Sequence, residues 1–226
     1  MIRIKMAKDL ETAKNLIERL NGPLATIGGI MAVAEDYDIP EDIKKGINHV
    51  DCNGQHHIFD TEVSENAKRY ILSYIGYALK NKAPQQEDVT EYVFELIQNF
   101  NTEENYEVGK AFVEGRRAEA EASLSAAIGK VALIDQAADS EAFGLNSEYI
   151  LEGIEYDYII VFNRKFGSIT VSSRLGNSGD KNMSDIMKAV FGEMAGGHKG
   201  IAGTPRGKSY TLEDASNLLD VMVRIV

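Results

Sequence analysis

Apolar positions recur along this chain with two different periods. From Asp9 to Leu20, the residues Leu10, Ala13, Leu16, Ile17 and Leu20 fall at helical spacing, and Asn21-Gly22-Pro23 supplies a stop. Leu24 to Ala34 is a small-residue apolar run that fits a buried helix or a strand. Ile39-Pro40-Glu41-Asp42-Ile43 restarts a helix, with a proline and two acids where helix N-terminal geometry and dipole favour them. Glu62 to Leu79 places Ala67, Tyr70, Ile71, Tyr74, Ile75, Ala78 and Leu79 on one broad apolar face, which predicts a well-buried helix. Its tyrosines belong to a core or an interface rather than to base stacking. After the break Pro84-Gln85-Gln86-Glu87-Asp88 the pattern is helical again from Val89 to Phe100. Tyr106 to Ile128, rich in Ala and Glu, extends the helical half, with Gly109 and Gly115 as weak points.

Near residue 130 the period drops to two. Lys130 to Asp135 predicts a first strand, and Asn146-Ser147 is placed to cap a short helix through Ile154. Tyr158-Ile159-Ile160-Val161-Phe162, a turn from Asn163 to Gly167, and Ser168 to Arg174 form a hairpin pattern. In its second arm Ile169 and Val171 face a core and Arg174 ends the strand. Asn182 to Phe191 returns to helical spacing through Ile186, Met187, Val190 and Phe191, and Leu212 to Val226 makes a last helix with Leu218, Leu219, Met222 and Val223 inward. The expected fold class is α/β, with a mainly helical region over residues 1–127 and a mixed-sheet α/β domain over residues 128–226.

Composition refines this picture. The chain has 226 residues, 44% of them hydrophobic and 26% charged, as a folded domain protein requires. Its one cysteine, Cys52, rules out an intrachain disulfide, and neither a signal-peptide h-region nor a membrane-length apolar run is present. A soluble, cytoplasmic protein without a membrane partner is the expectation. The net charge of −11 argues against binding nucleic acid over the whole surface, because phosphate neutralisation supplies that affinity. Cations are concentrated instead at Lys181, Lys188, Lys199, Arg206 and Lys208, against only Asp185 and Glu193, whereas residues 85–122 are rich in carboxylates.

The candidate chemistry lies in Met194-Ala195-Gly196-Gly197-His198-Lys199-Gly200-Ile201-Ala202-Gly203-Thr204-Pro205-Arg206-Gly207. Such glycine density is tolerated where backbone must bend sharply or approach something closely. Backbone N–H groups, with Lys199 and Arg206 nearby, suit an anion such as phosphate. The succession of strand, strand ending in Ser173-Arg174, helix, Gly196-Gly197-His198 and Ala202-Gly203 resembles the DHH-associated C-terminal domain of the RecJ-like phosphoesterase superfamily. Ala195 and Ile201 depart from that family's pattern, which has a glycine and an alanine there. The resemblance covers roughly residues 128–226 and implies a nucleic-acid site at Ser173, Arg174, Gly196, Gly197 and His198, which the nearby cations Lys199 and Arg206 complete. A competing arrangement pairs Arg174 with an acid such as Asp180 or Asp185 and leaves the loop as architecture.

The same resemblance implies an N-terminal core that binds two divalent metals through Asp-x-Asp and Asp-His-His motifs. Here Asp51-Cys52-Asn53 and Gln55-His56-His57 stand where those motifs are wanted, and they adjoin rather than being a domain apart. A looser alignment matches His49-Val50-Asp51, Phe59-Asp60-Thr61-Glu62-Val63-Ser64 and the helix to Leu79 with the region that follows the core in archaeal RecJ-like proteins. Either way the region reads as a truncated or degenerate DHH core. Asp51, His56 and His57 are the weak metal candidates, no catalytic residue is assigned, and no cofactor is expected. The implied function is a non-catalytic protein that holds single-stranded DNA or RNA in a replication or repair complex. The resemblance points to GINS or MCM-type partners docked on the acidic helical surface. The alternative is an active phosphoesterase using manganese or magnesium, an exonuclease, oligoribonuclease or dinucleotide phosphodiesterase.

Overall fold

The computed structural model of this chain describes residues 40–53, 55–81 and 99–226, without the side chains of residues 51–55. The readings made above for residues 9–20, 24–34 and 89–98 lie outside the described residues, as do the side chains of Asp51, Cys52, Asn53 and Gln55. The chain divides into two compact units, Met1–Val113 and Glu114–Val226. The fold is α/β, with helices in the described N-terminal part and a mixed sheet in the C-terminal part.

In the first unit, α1 (Glu41–Asn53) starts just after Pro40 with Glu41 and Asp42 in its first turn, and α2 (Glu65–Lys80) is capped by Ser64. The Ser64 hydroxyl accepts from the Ala67 N–H at 3.1 Å and donates to Asp42 at 2.9 Å, so the cap of α2 is tied to the start of α1. Ile47, Val50, Ile58, Val63, Ala67, Ile71 and Leu72 close the core between them. The helix α3 (Glu103–Ala122) approaches α2 at two glycines. A Cβ on Gly76 would stand 1.9 Å from the Asn105 carbonyl oxygen, and one on Gly109 would stand 1.9 Å from that of Leu72. Gly109 is therefore a packing point rather than a weak point, while Gly115 faces open space.

The second unit is built on a six-stranded sheet in the order β1-β2-β5-β6-β8-β7. Its strands are β1 (Leu124–Ile128), β2 (Val131–Gln136), β5 (Tyr158–Asn163), β6 (Ser168–Ser173), β7 (Gly196–Gly197) and β8 (Ile201–Gly203). Only β2 and β5 pair in parallel; every other ladder is antiparallel. Both central strands are covered on two faces, which is why Val131-Ala132-Leu133-Ile134 and Tyr158-Ile159-Ile160-Val161-Phe162 are continuous apolar runs. On one face Val131, Leu133, Ile160, Ile169 and Val171 pack against α4 (Met183–Phe191) and α5 (Leu212–Ile225) through Met183, Met187, Leu218 and Met222. On the other, Ala132, Ile134, Ile159 and Val161 meet Leu145, Tyr149, Leu151 and Tyr156.

Two sequence expectations need correction. The helix expected through Ile128 ends at Ala122, and Leu124 to Ile128 is an edge strand instead. Gly129, at φ 59°, turns β1 straight back onto β2, a conformation that helix continuation excludes. The short helix expected from Asn146 to Ile154 is a 3₁₀ turn (Leu145–Ser147) followed by the small ladder of β3 (Ile150–Leu151) and β4 (Ile154–Glu155). Glu152 and Gly153, at φ 50° and 76°, form the two-residue turn between them, the left-handed pair that a tight hairpin prefers.

Candidate functional site

The glycine stretch is an ordered hairpin rather than an open loop. The His198 N–H donates to the Ile201 carbonyl at 2.7 Å and the Ile201 N–H returns the bond at 3.3 Å, so Lys199 and Gly200 form a two-residue tip. Glycine is demanded here by backbone proximity. A Cβ on Gly197 would stand 2.6 Å from the Ile201 carbonyl oxygen, and one on Gly200 would stand 2.5 Å from the carbonyl carbon of Gly176. The tip is also fastened from outside: the Gly200 N–H donates to Asn177 Oδ1 at 3.0 Å, its carbonyl accepts from the Ser173 N–H at 2.8 Å, and the Lys199 carbonyl accepts from the Met183 N–H at 2.9 Å. His198 and Lys199 project from this fixed backbone with exposed side chains that have no hydrogen bond or ion pair among the described residues.

Pairing of β6 with β8 sets which candidates meet. The register Ser172 to Ile201, Val171 to Ala202 and Thr170 to Gly203 brings Ser173 and Arg174 to the end of β6 that adjoins the tip, beside Gly196, Gly197, His198 and Lys199. Arg206 lies beyond Gly203 at the other end, where the Thr204 N–H donates to the Ile169 carbonyl. At roughly 3.3 Å of rise per residue, the length of β6 separates it from Arg174. Arg174 itself is held by acids, Asp157 at 3.0 Å and Glu155 at 3.3 Å, rather than by Asp180 or Asp185. Ser173 is buried. The hairpin's N–H groups named above are already engaged, so the donors that face outward belong to His198 and Lys199. The N-terminus of α4 beside the hairpin is satisfied by its own cap, Asn182, and carries Asp185 in its first turn, which disfavours an anion on the helix end itself.

A second constellation stands in the first unit. His49, in the C-terminal half of α1, presents Nε2 to Asp60 Oδ2 at 3.0 Å, and His57, on the 3₁₀ turn Gln55–His57, presents Nδ1 to the same oxygen at 2.7 Å. The intervening turn is fixed by the Asp60 N–H donating to the His57 carbonyl and by the buried Ile58 and Val63. Burial alone would raise the Asp60 carboxyl, but the hydrogen bonds from both histidines outweigh it and hold Asp60 below the ordinary carboxylate range. Of the sequence-level metal candidates, His57 belongs to this cluster and the Asp51 side chain lies outside the described residues. His56 is buried at 3% exposure, its ring 4.2 Å from that of His57, and is not among the cluster's ligand atoms. From the run His49 to Asp60 the sequence reading keeps Asp51, His56 and His57 as its metal candidates and leaves Asp60 and His49 aside. The available signal was spacing: His57 and Asp60 are three apart across a turn, and His49 precedes them on a helix that ends at Asn53.

Among the described residues no helix is long and apolar enough to cross a membrane. No family model matches the chain, and no curated protein matches it. Among solved structures the chain is similar to the pGpG-specific phosphodiesterase PggH from Vibrio cholerae, with a TM-score of 0.48 and 10% identity, over 95% of this chain and 72% of that one. It is also similar to an uncharacterized protein from Helicobacter pylori G27, with a TM-score of 0.32 and 12% identity, over 81% of this chain and 53% of that one.

Proposed function

We propose that the C-terminal unit binds single-stranded DNA or RNA through phosphates at the tip of the β7–β8 hairpin, and that the chain acts as a non-catalytic binding component. One observation carries this reading: His198 and Lys199 stand exposed, and unpaired among the described residues, on a backbone that Gly197 and Gly200 hold in place. That is where the Gly-Gly-His and Ala-Gly resemblance falls. Lys199 supplies a point charge and His198 donates from a ring nitrogen, while Gly197 and Gly200 fix the backbone that carries them. Arg174 contributes less than an unpaired arginine because Asp157 and Glu155 already neutralise it. The exposed carboxylates Glu103, Glu104 and Glu107 of the first unit are the surface this reading offers to a protein partner of the GINS or MCM type.

With so few cations on a chain of net charge −11, binding is modest and steeply salt-dependent, each phosphate contact adding about 0.7 to the slope of log affinity against log salt. Titration of fluorescent single strands at low salt, against wild type and a His198→Ala, Lys199→Ala double variant, tests it. Loss of binding in the variant is expected. Equal binding by both proteins, or none by wild type, overturns the reading. Turnover of the same strands by wild type with manganese overturns its non-catalytic half in favour of a phosphoesterase.

A further inference from the structure

Three groups with the donor chemistry of a metal site, two imidazoles and one carboxylate, converge in the first unit. One ligand atom from each of His49, His57 and Asp60 lies within 4.8 Å of the other two. Around a first-row divalent ion at about 2.1 Å, ligand atoms are spaced roughly 3.0 Å on an octahedral face and 3.4 Å at tetrahedral corners. The two N···O separations here, 3.0 Å and 2.7 Å, match the octahedral spacing to within about 0.3 Å, and an opening of about 0.4 to 0.7 Å would bring them to the tetrahedral one. The side chains are 24%, 13% and 28% exposed, sunk enough to be held and open enough for water to complete a coordination sphere. Backbone placement comes from α1 and from a turn closed by the Asp60 and Val63 N–H groups, so the ligands are positioned before any ion arrives.

We infer that His49, His57 and Asp60 form a site for one first-row divalent transition-metal ion of the zinc class. Two nitrogen donors with a single carboxylate suit zinc over magnesium or calcium, which demand more oxygen. On binding, each ring moves its proton from the nitrogen facing Asp60 to its other nitrogen, and the freed lone pairs and Asp60 Oδ2 take the ion. The site differs from the carboxylate-rich two-metal core that the family resemblance implies: it holds one ion and joins the end of α1 to the turn leading into α2. Its role is to fasten that turn, and it does not rest on the nucleic-acid reading of the hairpin.

The experiment uses untagged full-length protein stripped with a chelator. Cobalt is titrated by visible absorption and zinc by calorimetry and by the change in Tm, with magnesium as the comparison ion. One equivalent of cobalt giving a ligand-field band, its displacement by zinc, a zinc-dependent rise in Tm and no heat with magnesium are expected. Asp60→Asn and His49→Gln each weaken binding about tenfold or more, since even outer contacts of metal sites carry that much. His198→Ala, on the other unit, leaves it unchanged. A wild-type protein with neither a cobalt band nor a zinc-dependent Tm rise overturns the inference whatever the variants do. So does binding that Asp60→Asn and His49→Gln, folded by far-UV circular dichroism, retain at wild-type strength.

Discussion

Arg174 is bound twice to Asp157: its guanidinium donates to the Asp157 carboxylate at 3.0 and 3.2 Å, and its backbone N–H donates to the Asp157 carbonyl at 2.8 Å. The strand-ending arginine that the sequence offers as a phosphate ligand is thus a clamp between the end of β6 and the entry to β5. Because the backbone bond holds without the carboxylates, the double substitution Asp157→Asn, Glu155→Gln frees the guanidinium of both its acids while leaving the strand end in place. Affinity for single strands is expected to rise a few-fold, and the salt slope to steepen by about 0.7 if one new phosphate contact forms. Fluorescence titrations at three salt concentrations measure both. Unchanged affinity and slope would show that Arg174 does not reach the bound strand.

Two glycines of α3 predict opposite responses to the same substitution. Gly109→Ala places a methyl group against the Leu72 carbonyl of α2, 1.9 Å from its oxygen, and backbone cannot yield as a flexible side chain does. A loss of about 1–3 kcal/mol or more is expected from such overpacking. Gly115→Ala meets nothing within 4 Å and removes the entropy cost of a mid-helix glycine, so it stabilises by about 0.5–1 kcal/mol. Urea denaturation of the two variants gives the comparison, and equal midpoints would show that the helix contact is looser than the geometry requires.

Tyr70 packs edge-on against Phe100 at 4.8 Å, and burial pushes its hydroxyl up to about 12. A tyrosine whose folded pKa is raised keeps its stabilising effect below the unfolded value near 10 and loses it as pH rises from there to 12. Tyr70→Phe retains the ring contact without the ionisable group. Between pH 9.5 and 11.5 the wild type is expected to lose on the order of 1–2 kcal/mol more than the variant. Parallel losses in urea midpoint would place the Tyr70 hydroxyl in contact with water.

Much of the architecture was legible because the two buried periods are strong. Ile169 and Val171 alternate into the core as their spacing requires, and the apolar stripes of α2, α4 and α5 lie where they recur. The failures fall where local patterns are ambiguous. Leu124-Ser125-Ala126-Ala127-Ile128 suits a helix end or an edge strand, and only the turn at Gly129 and the partner strand decide. At the candidate sites, residue type was readable and pairing was not. The clamp on Arg174 depends on Asp157 at the mouth of another strand, and the His–Asp–His cluster depends on a turn that folds Asp60 back under α1.

If the hairpin works through its shape as well as its charge, Gly200 is the residue that separates the two. It carries no charge and no side chain, yet a Cβ there would fall 2.5 Å from the carbonyl carbon and 2.6 Å from the Cα of Gly176. Gly200→Ala must therefore push the tip away from the 176–177 segment, straining the bonds to Asn177 and Ser173 that fasten it. His198 and Lys199 keep their side chains and exposure but lose their fixed placement. Single-strand affinity is expected to fall about as far as when both side chains are removed. The Tm should fall by only a few degrees, since the strand edge concerned is short and peripheral to the core. Wild-type affinity in a folded Gly200→Ala protein would reduce the site to two side chains that need no fixed placement and make the glycines a matter of packing alone.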